Sequence, residues 1–174
     1  MKRIVLVAVI ILAAFAFSSQ AFAQTTIEQL GDALYFDQNL SLNGNQSCSS
    51  CHNPDFGFVD PDNVVNGTPV STGSVTTLTG GLNSPSAAYA ALSPFFFFDG
   101  NEGLFVGGQF WNGRANTLAE QAAGPFLNPL EMAMPDKWAV VDRLRTSGGP
   151  DYQTMFSEVF GIDLSAVAPY TGDY

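Results

Sequence analysis

The sequence is poor in positive charge and in residues that bind metals. Its 174 residues include six Lys and Arg against 16 Asp and Glu, and the formal net charge is −10. A surface of this sign repels the phosphate backbone, which excludes nucleic acid as a partner. The chain also contains only one histidine and two cysteines. A four-ligand structural zinc site therefore cannot be assembled from these residues.

The sequence has only one long apolar run, and it lies at the N-terminus. The run from Ile4 to Phe17 follows Lys2 and Arg3 and precedes Ala21-Phe22-Ala23. This order predicts a signal peptide over residues 1–23, cleaved before Gln24, and hence a periplasmic protein. The alternative is an uncleaved anchor, but the run is short for a span of about 20 residues. After cleavage we expect no stable membrane span.

The scarce metal-binding residues share one segment, Cys48-Ser-Ser-Cys51-His52. A redox-active disulfide would explain the two cysteines but not the adjacent histidine. The spelling Cys-x-x-Cys-His is that of covalent haem attachment. Two thiols three positions apart can reach the two vinyl groups on one edge of a porphyrin, and the next residue then offers its imidazole to the iron. The segment predicts one haem c, with His52 as proximal ligand.

The residue on the other face of the iron stays open at this point. Electron carriers close that face with Met or a second His. No second His exists, and the methionines after the signal peptide are Met132, Met134 and Met155. Either a methionine is the sixth ligand, as in a mono-haem electron-transfer protein, or the position is free for small-molecule chemistry.

Capping patterns predict short helices joined by long loops. Thr25 with Glu28 and Thr117 with Glu120 have capping-box spacing, and Asp136 precedes an apolar helical pattern. A further helix is expected between Pro150 and Gly161. Residues 61–84 and the Gly-rich stretch 99–109 are predicted as loops. The fold class is therefore predicted as all-α, a single cytochrome-c-like haem domain over residues 24–174.

Three stretches carry a family resemblance beyond the haem motif. They are "LGDALYFDQNLSLNGNQSCSSCHNPDFGFVDP", "LNSPSAAYAA" and "GGQFWNGRANTLAEQAAGPFLNPLEMAM". They resemble the N-terminal haem domain of bacterial di-haem cytochrome c peroxidases, whose superfamily includes the di-haem enzyme of methylamine utilisation. The resemblance implies reduction of hydrogen peroxide to water in a cytochrome-c-like domain. It also implies a C-terminal haem domain fed by a small cytochrome c or copper protein, and we expect a homodimer.

The resemblance also implies roles for individual residues. Trp111 matches the tryptophan between the two haems, and Gln121 and Glu131 match the polar residues of the distal pocket. Asn83 matches an asparagine of an interdomain calcium site. A carboxylate such as Glu131 in an apolar cavity suits proton transfer.

Each of these residues also has an ordinary structural interpretation. Glu131 would then be a charge near a helix N-terminus, Gln121 a surface helix residue and Trp111 a core aromatic. Arg114 is interpreted either as a partner of a haem propionate or as part of a surface salt bridge.

The sequence departs from the family pattern in three ways. Many members carry a histidine shortly before the "NSP" segment that blocks the distal face, and the stretch "TGSVTTLTGG" has none. The resemblance therefore implies an iron that is open without reductive activation. No second Cys-x-x-Cys-His is present, so we expect the sequence to be part of a longer protein. The stretch "DGNEGLFVGG" is interpreted as an insertion.

Overall fold

The structure is a computed structural model that describes residues 24–169. The predicted signal peptide, residues 1–23, and the last five residues lie outside this part. The α-helices are α1 (Ile27–Phe36), α2 (Cys48–Cys51), α3 (Pro61–Val65), α4 (Leu118–Ala122), α5 (Gly124–Leu127), α6 (Lys137–Thr146) and α7 (Tyr152–Phe160). Single 3₁₀ turns cover Gln38–Leu40, Pro54–Phe56, Ala90–Leu92 and Leu164–Ala166. No helix within residues 24–169 is long and apolar enough to cross a membrane.

The helices begin where side chains can satisfy their first backbone N–H groups. Thr117 and Glu120 form the predicted capping box of α4, and Asp136 caps α6 through the Ala139 N–H. The first capping box is shifted by one residue from the prediction, because Thr26 pairs with Gln29 rather than Thr25 with Glu28.

The apolar core lies where α1, α6, α7 and the last 3₁₀ turn meet. Leu30, Tyr152 and Leu164 are buried together. Six further apolar side chains pack against them, namely Ala33, Leu34, Leu144, Met155, Phe156 and Val159. Removal of this apolar surface from water is the main term that holds α1 against α6 and α7.

A two-stranded hairpin corrects the all-α prediction. Strand β1 (Phe97–Asp99) pairs antiparallel with β2 (Leu104–Val106), with Phe98 opposite Phe105. The Asp99 carboxylate accepts from the Asn101 N–H at 2.9 Å, and Gly103 takes a positive φ of 67°, which closes the turn. The domain is thus mostly helical with one small sheet, whose second strand lies in the stretch 99–109 that was predicted as a loop.

Residues 61–84 were also predicted as loop, and part of that prediction is wrong. Asp60 caps the short helix α3, which Pro61 begins. A tight loop, residues 71–80, then folds back on itself through a bridge between Thr72 and Thr79. Ser74, in this loop, is fully buried. The loop packs between the haem-attachment segment and the segment that carries Glu131.

Candidate functional site

The attachment motif is ordered by helix α2. At its start the Ser47 N–H donates to the Ser50 hydroxyl at 3.0 Å, and at its end the His52 N–H donates to the Cys48 carbonyl at 2.9 Å. Both thiols are half-buried and unbridged. Burial raises the pKa of both, that of Cys51 to about 11. The helical turn therefore holds the two thiols one turn apart, with the imidazole directly after them.

The imidazole of His52 has a defined orientation. Its Nδ1 lies 3.3 Å from the Phe58 carbonyl oxygen. A carbonyl can only accept, so this contact is a hydrogen bond when Nδ1 carries the proton, which leaves the lone pair on Nε2. The Tyr35 hydroxyl donates to the His52 carbonyl and fixes the backbone at the same residue.

This donor set fits covalent haem. Cys48 and Cys51 are free to form two thioethers, since neither is used in a disulfide. His52 would offer Nε2 to the iron, with Nδ1 held by a backbone acceptor, which is how outer partners orient metal-binding histidines. These three residues would therefore hold the cofactor.

Glu131 lies in a compact turn that follows α5. Its carboxylate accepts from the Asn128 side-chain amide at 2.7 Å, and its N–H donates to the Asn128 carbonyl at 3.0 Å. Burial raises the pKa of the Glu131 carboxyl, and the Asn128 hydrogen bond, Arg114 and His52 oppose that rise. The charge of Glu131 in turn contributes to the raised pKa of Cys51. The Glu131 carboxylate therefore lies close enough to the attachment motif to influence the pKa of its thiol.

An open cavity of about 320 Å³ lies beside Glu131. Its lining residues are Phe110, Arg114, Ala115, Glu120, Gly124, Pro125, Asn128 and Glu131. Gln121 follows Glu120 on α4 and is half-buried, but it is not among the lining residues. The cavity thus joins Glu131 and Arg114, and Gln121 does not line it.

Arg114 contacts an aromatic ring and an amide. Its Cζ lies 3.3 Å from the centroid of the Phe110 ring, and its Nη1 donates to the Asn112 side chain at 3.1 Å. Among residues 24–169 it forms no salt bridge. The surface ion pair left open by the sequence is therefore not formed there, and the guanidinium faces the cavity.

Two other predicted site residues, Trp111 and Asn83, are joined by a hydrogen bond. The Trp111 indole N–H donates to the Asn83 carbonyl at 2.8 Å, and Trp111 is 62% exposed. Trp111 is therefore not the core aromatic of the alternative interpretation. The Asn83 side chain donates to Asn63 at 2.8 Å and to the Pro69 carbonyl at 3.3 Å. Residues 24–169 contain no group of three or more His, Cys, Asp or Glu that could hold a metal ion, so a calcium ion at Asn83 stays a prediction.

The two candidate methionine ligands are part of the packed interior. Met132 and Met134 are 3% and 4% exposed. Their N–H groups donate to the carbonyls of Pro125 at 3.1 Å and Phe126 at 2.7 Å. These hydrogen bonds fix the backbone on either side of residue 133. Both alternatives for the sixth position of the iron, a methionine or a free site, stay predictions.

Three residues of the site escaped sequence reasoning. The first is Asn128, whose side-chain amide donates to the Glu131 carboxylate. The spacing Asn-x-x-Glu was a usable signal, because a turn brings such residues together. Tyr35 and Ser74 reach the site through tertiary packing, and no local pattern marks either residue.

Comparison with known proteins places this site in a family. The chain matches the profile described as "Di-haem cytochrome c peroxidase" over residues 25–172. It is 47% identical to the methylamine utilization protein MauG of Paracoccus denitrificans over 139 residues, which are 80% of this chain and 35% of that protein. It is 34% identical to the cytochrome c551 peroxidase of Nitrosomonas europaea, covering 78% of this chain and 34% of the relative.

The solved structures that this chain resembles belong to the same kind of protein. The diheme peroxidase BthA from Burkholderia thailandensis matches with a TM-score of 0.67 and 32% identity, over 78% of this chain and 32% of that one. A MauG-like protein associated with microbial copper homeostasis matches with a TM-score of 0.55 and 30% identity, over 79% and 37%. The chain spans about a third of the length of these relatives. The resemblance noted in the sequence is confirmed: the chain belongs to the di-haem cytochrome c peroxidase family.

Proposed function

We propose that this chain is the peroxidatic domain of a periplasmic di-haem enzyme that reduces hydrogen peroxide to water. Family membership supports the coarser part, an oxidoreductase of the peroxidase and MauG type that uses haem c. The electrons are proposed to come from a small cytochrome c or copper protein, through a second haem domain. We also propose that the enzyme is a homodimer.

The observation that carries this proposal is the environment of Glu131. A half-buried carboxyl whose pKa is raised by burial lies beside a cavity and accepts a hydrogen bond from the Asn128 amide. General acid–base groups work best when their pKa is close to the working pH, and partial desolvation is the usual means. A carboxyl used only as a surface charge would not need this burial.

Each site residue is proposed to have a separate role in the reaction. When bound, haem supplies an iron centre with redox chemistry for the peroxide bond. His52 would hold the haem through Nε2, and its Nδ1–H···O contact with the Phe58 carbonyl would increase the basicity of the ring. Glu131 accepts a proton from one peroxide oxygen and returns it to the other, so that water is the leaving group. Gln121 is proposed to orient the peroxide through its amide.

Trp111 and Asn83 are proposed to act at the face toward a second domain. Trp111 is exposed, and its indole is held by the Asn83 carbonyl, so the ring orientation is fixed without being buried. We propose Trp111 as an electron relay toward a second haem. We propose that calcium binds at Asn83, which calcium titration of an Asn83→Ala variant of the whole enzyme would test.

The function is tested by removing the carboxyl while keeping its shape. Glu131→Gln should lower peroxide turnover by about 10²- to 10⁴-fold and leave covalent haem attachment intact. The matched control is Glu102→Gln, because Glu102 is exposed in the hairpin turn. Turnover by Glu131→Gln at the wild-type rate would refute the proton-transfer role.

A mono-haem electron-transfer protein is the second candidate. The buried thioethers of Met132 and Met134, directly after Glu131, are the observation that favours it. In that case the ferric protein would be low-spin and unresponsive to peroxide, and Met132→Ala or Met134→Ala would change its spectrum and potential. A high-spin ferric spectrum that responds to peroxide and cyanide, unchanged by both substitutions, would instead support the peroxidase.

A further inference from the structure

We propose that Ser74 is a positioning residue that fixes the Glu131 carboxyl relative to the haem-attachment motif. This inference rests on the proposed role of Glu131 in proton transfer. Ser74 belongs to the loop 71–80, which is closed by the Gly80 N–H bond to the Ser71 carbonyl at 2.8 Å. A serine that is 0% exposed needs partners for all its polar groups, and those partners indicate its role.

Every polar group of Ser74 bonds to one of two segments that the loop separates. Its N–H donates to the Glu131 carbonyl at 2.7 Å. Its hydroxyl donates to the Asn45 side chain at 2.8 Å and accepts from the Asn43 N–H at 3.1 Å. Its carbonyl accepts from the side-chain amides of Asn43 at 2.9 Å and Asn45 at 3.0 Å. Since Asn45 lies three residues before Cys48, Ser74 connects the Glu131 turn to the attachment segment.

The backbones at this connection are too close for a side chain between them. A Cβ on Gly73 would lie 2.5 Å from the Leu130 carbonyl oxygen and 3.2 Å from that of Glu131. The Leu42 N–H adds a direct bond to the Met132 carbonyl at 2.8 Å. The turn that carries Glu131 is therefore attached to the segment 42–45 both directly and through Ser74, and a shift of residues 73–74 would move the carboxyl.

The alternative is that Ser74 only stabilises the fold. A purely structural hydroxyl would affect thermal stability and leave the ionisation of Glu131 unchanged. A positioning residue would change the hydration of the carboxyl, because a loosened turn admits water to a group whose burial favours the protonated form. The pH dependence of the site therefore separates the two roles.

The experiment uses the haem-loaded full chain and four variants: Ser74→Ala, Glu131→Gln, the double variant, and Ser93→Ala as control. Ser93 is a half-buried serine whose hydroxyl donates to the Gly108 carbonyl at 2.9 Å. Peroxide turnover, the pH dependence of cyanide affinity and the melting temperature are measured. Ser74→Ala should lower turnover by up to about a hundredfold and shift the cyanide midpoint to lower pH. Ser93→Ala should change neither.

The double variant completes the test. If Ser74 acts through Glu131, Ser74→Ala causes no further loss in the Glu131→Gln background. An equal loss in both backgrounds, or a wild-type cyanide midpoint in Ser74→Ala, would overturn the assignment while leaving the Glu131 role intact. Full turnover by Glu131→Gln would instead refute the proposed function and this inference with it. If Ser74→Ala does not accumulate, Gly73→Ala replaces it, because the added Cβ would clash with the Leu130 carbonyl and displace the turn that carries Glu131. The same changes in turnover and in the cyanide midpoint are expected.

Discussion

The side-chain amide of Asn128 donates to the Glu131 carboxylate at 2.7 Å, while its oxygen accepts from the Leu130 N–H at 3.0 Å. One asparagine thus both builds the turn and stabilises the charged form of the carboxyl. The first role fixes the geometry of Glu131, and the second opposes the rise in pKa that burial causes.

Substitution of Asn128 should separate these two roles. Asn128→Ala removes the hydrogen bond that favours the carboxylate, so the Glu131 pKa should rise and the acid limb of the pH–turnover profile should move to higher pH. Asn128→Asp keeps the acceptor for Leu130 but places a negative charge beside Glu131, so its shift should be larger. A wild-type profile in Asn128→Asp would show that only the turn geometry matters.

The charge of Arg114 should also affect the pH at which turnover falls on the acid side of the pH–turnover profile. Arg114 lowers the Glu131 pKa, so Arg114→Gln should raise it and shift turnover to higher pH. Arg114→Lys keeps the charge but loses the planar stacking on Phe110, and its profile should stay close to wild type. Because Arg114 is exposed, the shift in Arg114→Gln should shrink at high ionic strength. A shift that is independent of salt would contradict this electrostatic origin.

The raised pKa of Glu131 implies a stability that depends on pH. The folded state holds this proton more tightly than the unfolded state, so its contribution is complete below the unfolded pKa and is lost as pH rises through the folded pKa. Glu131→Gln cannot ionise, so it should melt above wild type at pH 8 and close to wild type near pH 4. Thermal unfolding at both values checks this, and a constant difference between the two would refute it.

Tyr152 joins the helical core to a buried carboxylate. Its hydroxyl lies 2.9 Å from the Asp37 carboxylate and 3.2 Å from the Ala33 carbonyl, and the residue is 1% exposed. Tyr152→Phe leaves Asp37 without this donor and should lower the free energy of unfolding by about 1–3 kcal/mol. Tyr89→Phe changes an exposed ring and should stay within about 0.5 kcal/mol of wild type. Denaturant titration of both variants gives the comparison.

The parts of the fold that the sequence predicted depend on local signals. The cap of α4 at Thr117, the cap of α6 at Asp136 and the end of α7 at Gly161 were confirmed, because each is decided within one helical turn. The capping box of α1 was misplaced because both Thr25 and Thr26 have a suitable partner three residues on. Only the structure shows which register is used.

The hairpin escaped prediction because its strands lack the usual alternation. Phe97 and Phe98 follow each other and are both exposed, so no period of two marks β1. The site also contains residues that a local pattern identifies and residues that only tertiary packing brings together. Cys48, Cys51 and His52 are contiguous and were identified from spacing alone, whereas Ser74 meets Glu131 only after the loop 71–80 has packed against it.

The distribution of apolar burial suggests the order in which this domain matures. Its apolar cluster joins the first and last described helices, while the segment around α2 is held mainly by hydrogen bonds between loops. The helical end can therefore assemble by hydrophobic collapse before the thiols are modified. We expect haem attachment to require opening of the hydrogen-bonded loops around α2, which can occur while α1 and α7 stay packed together.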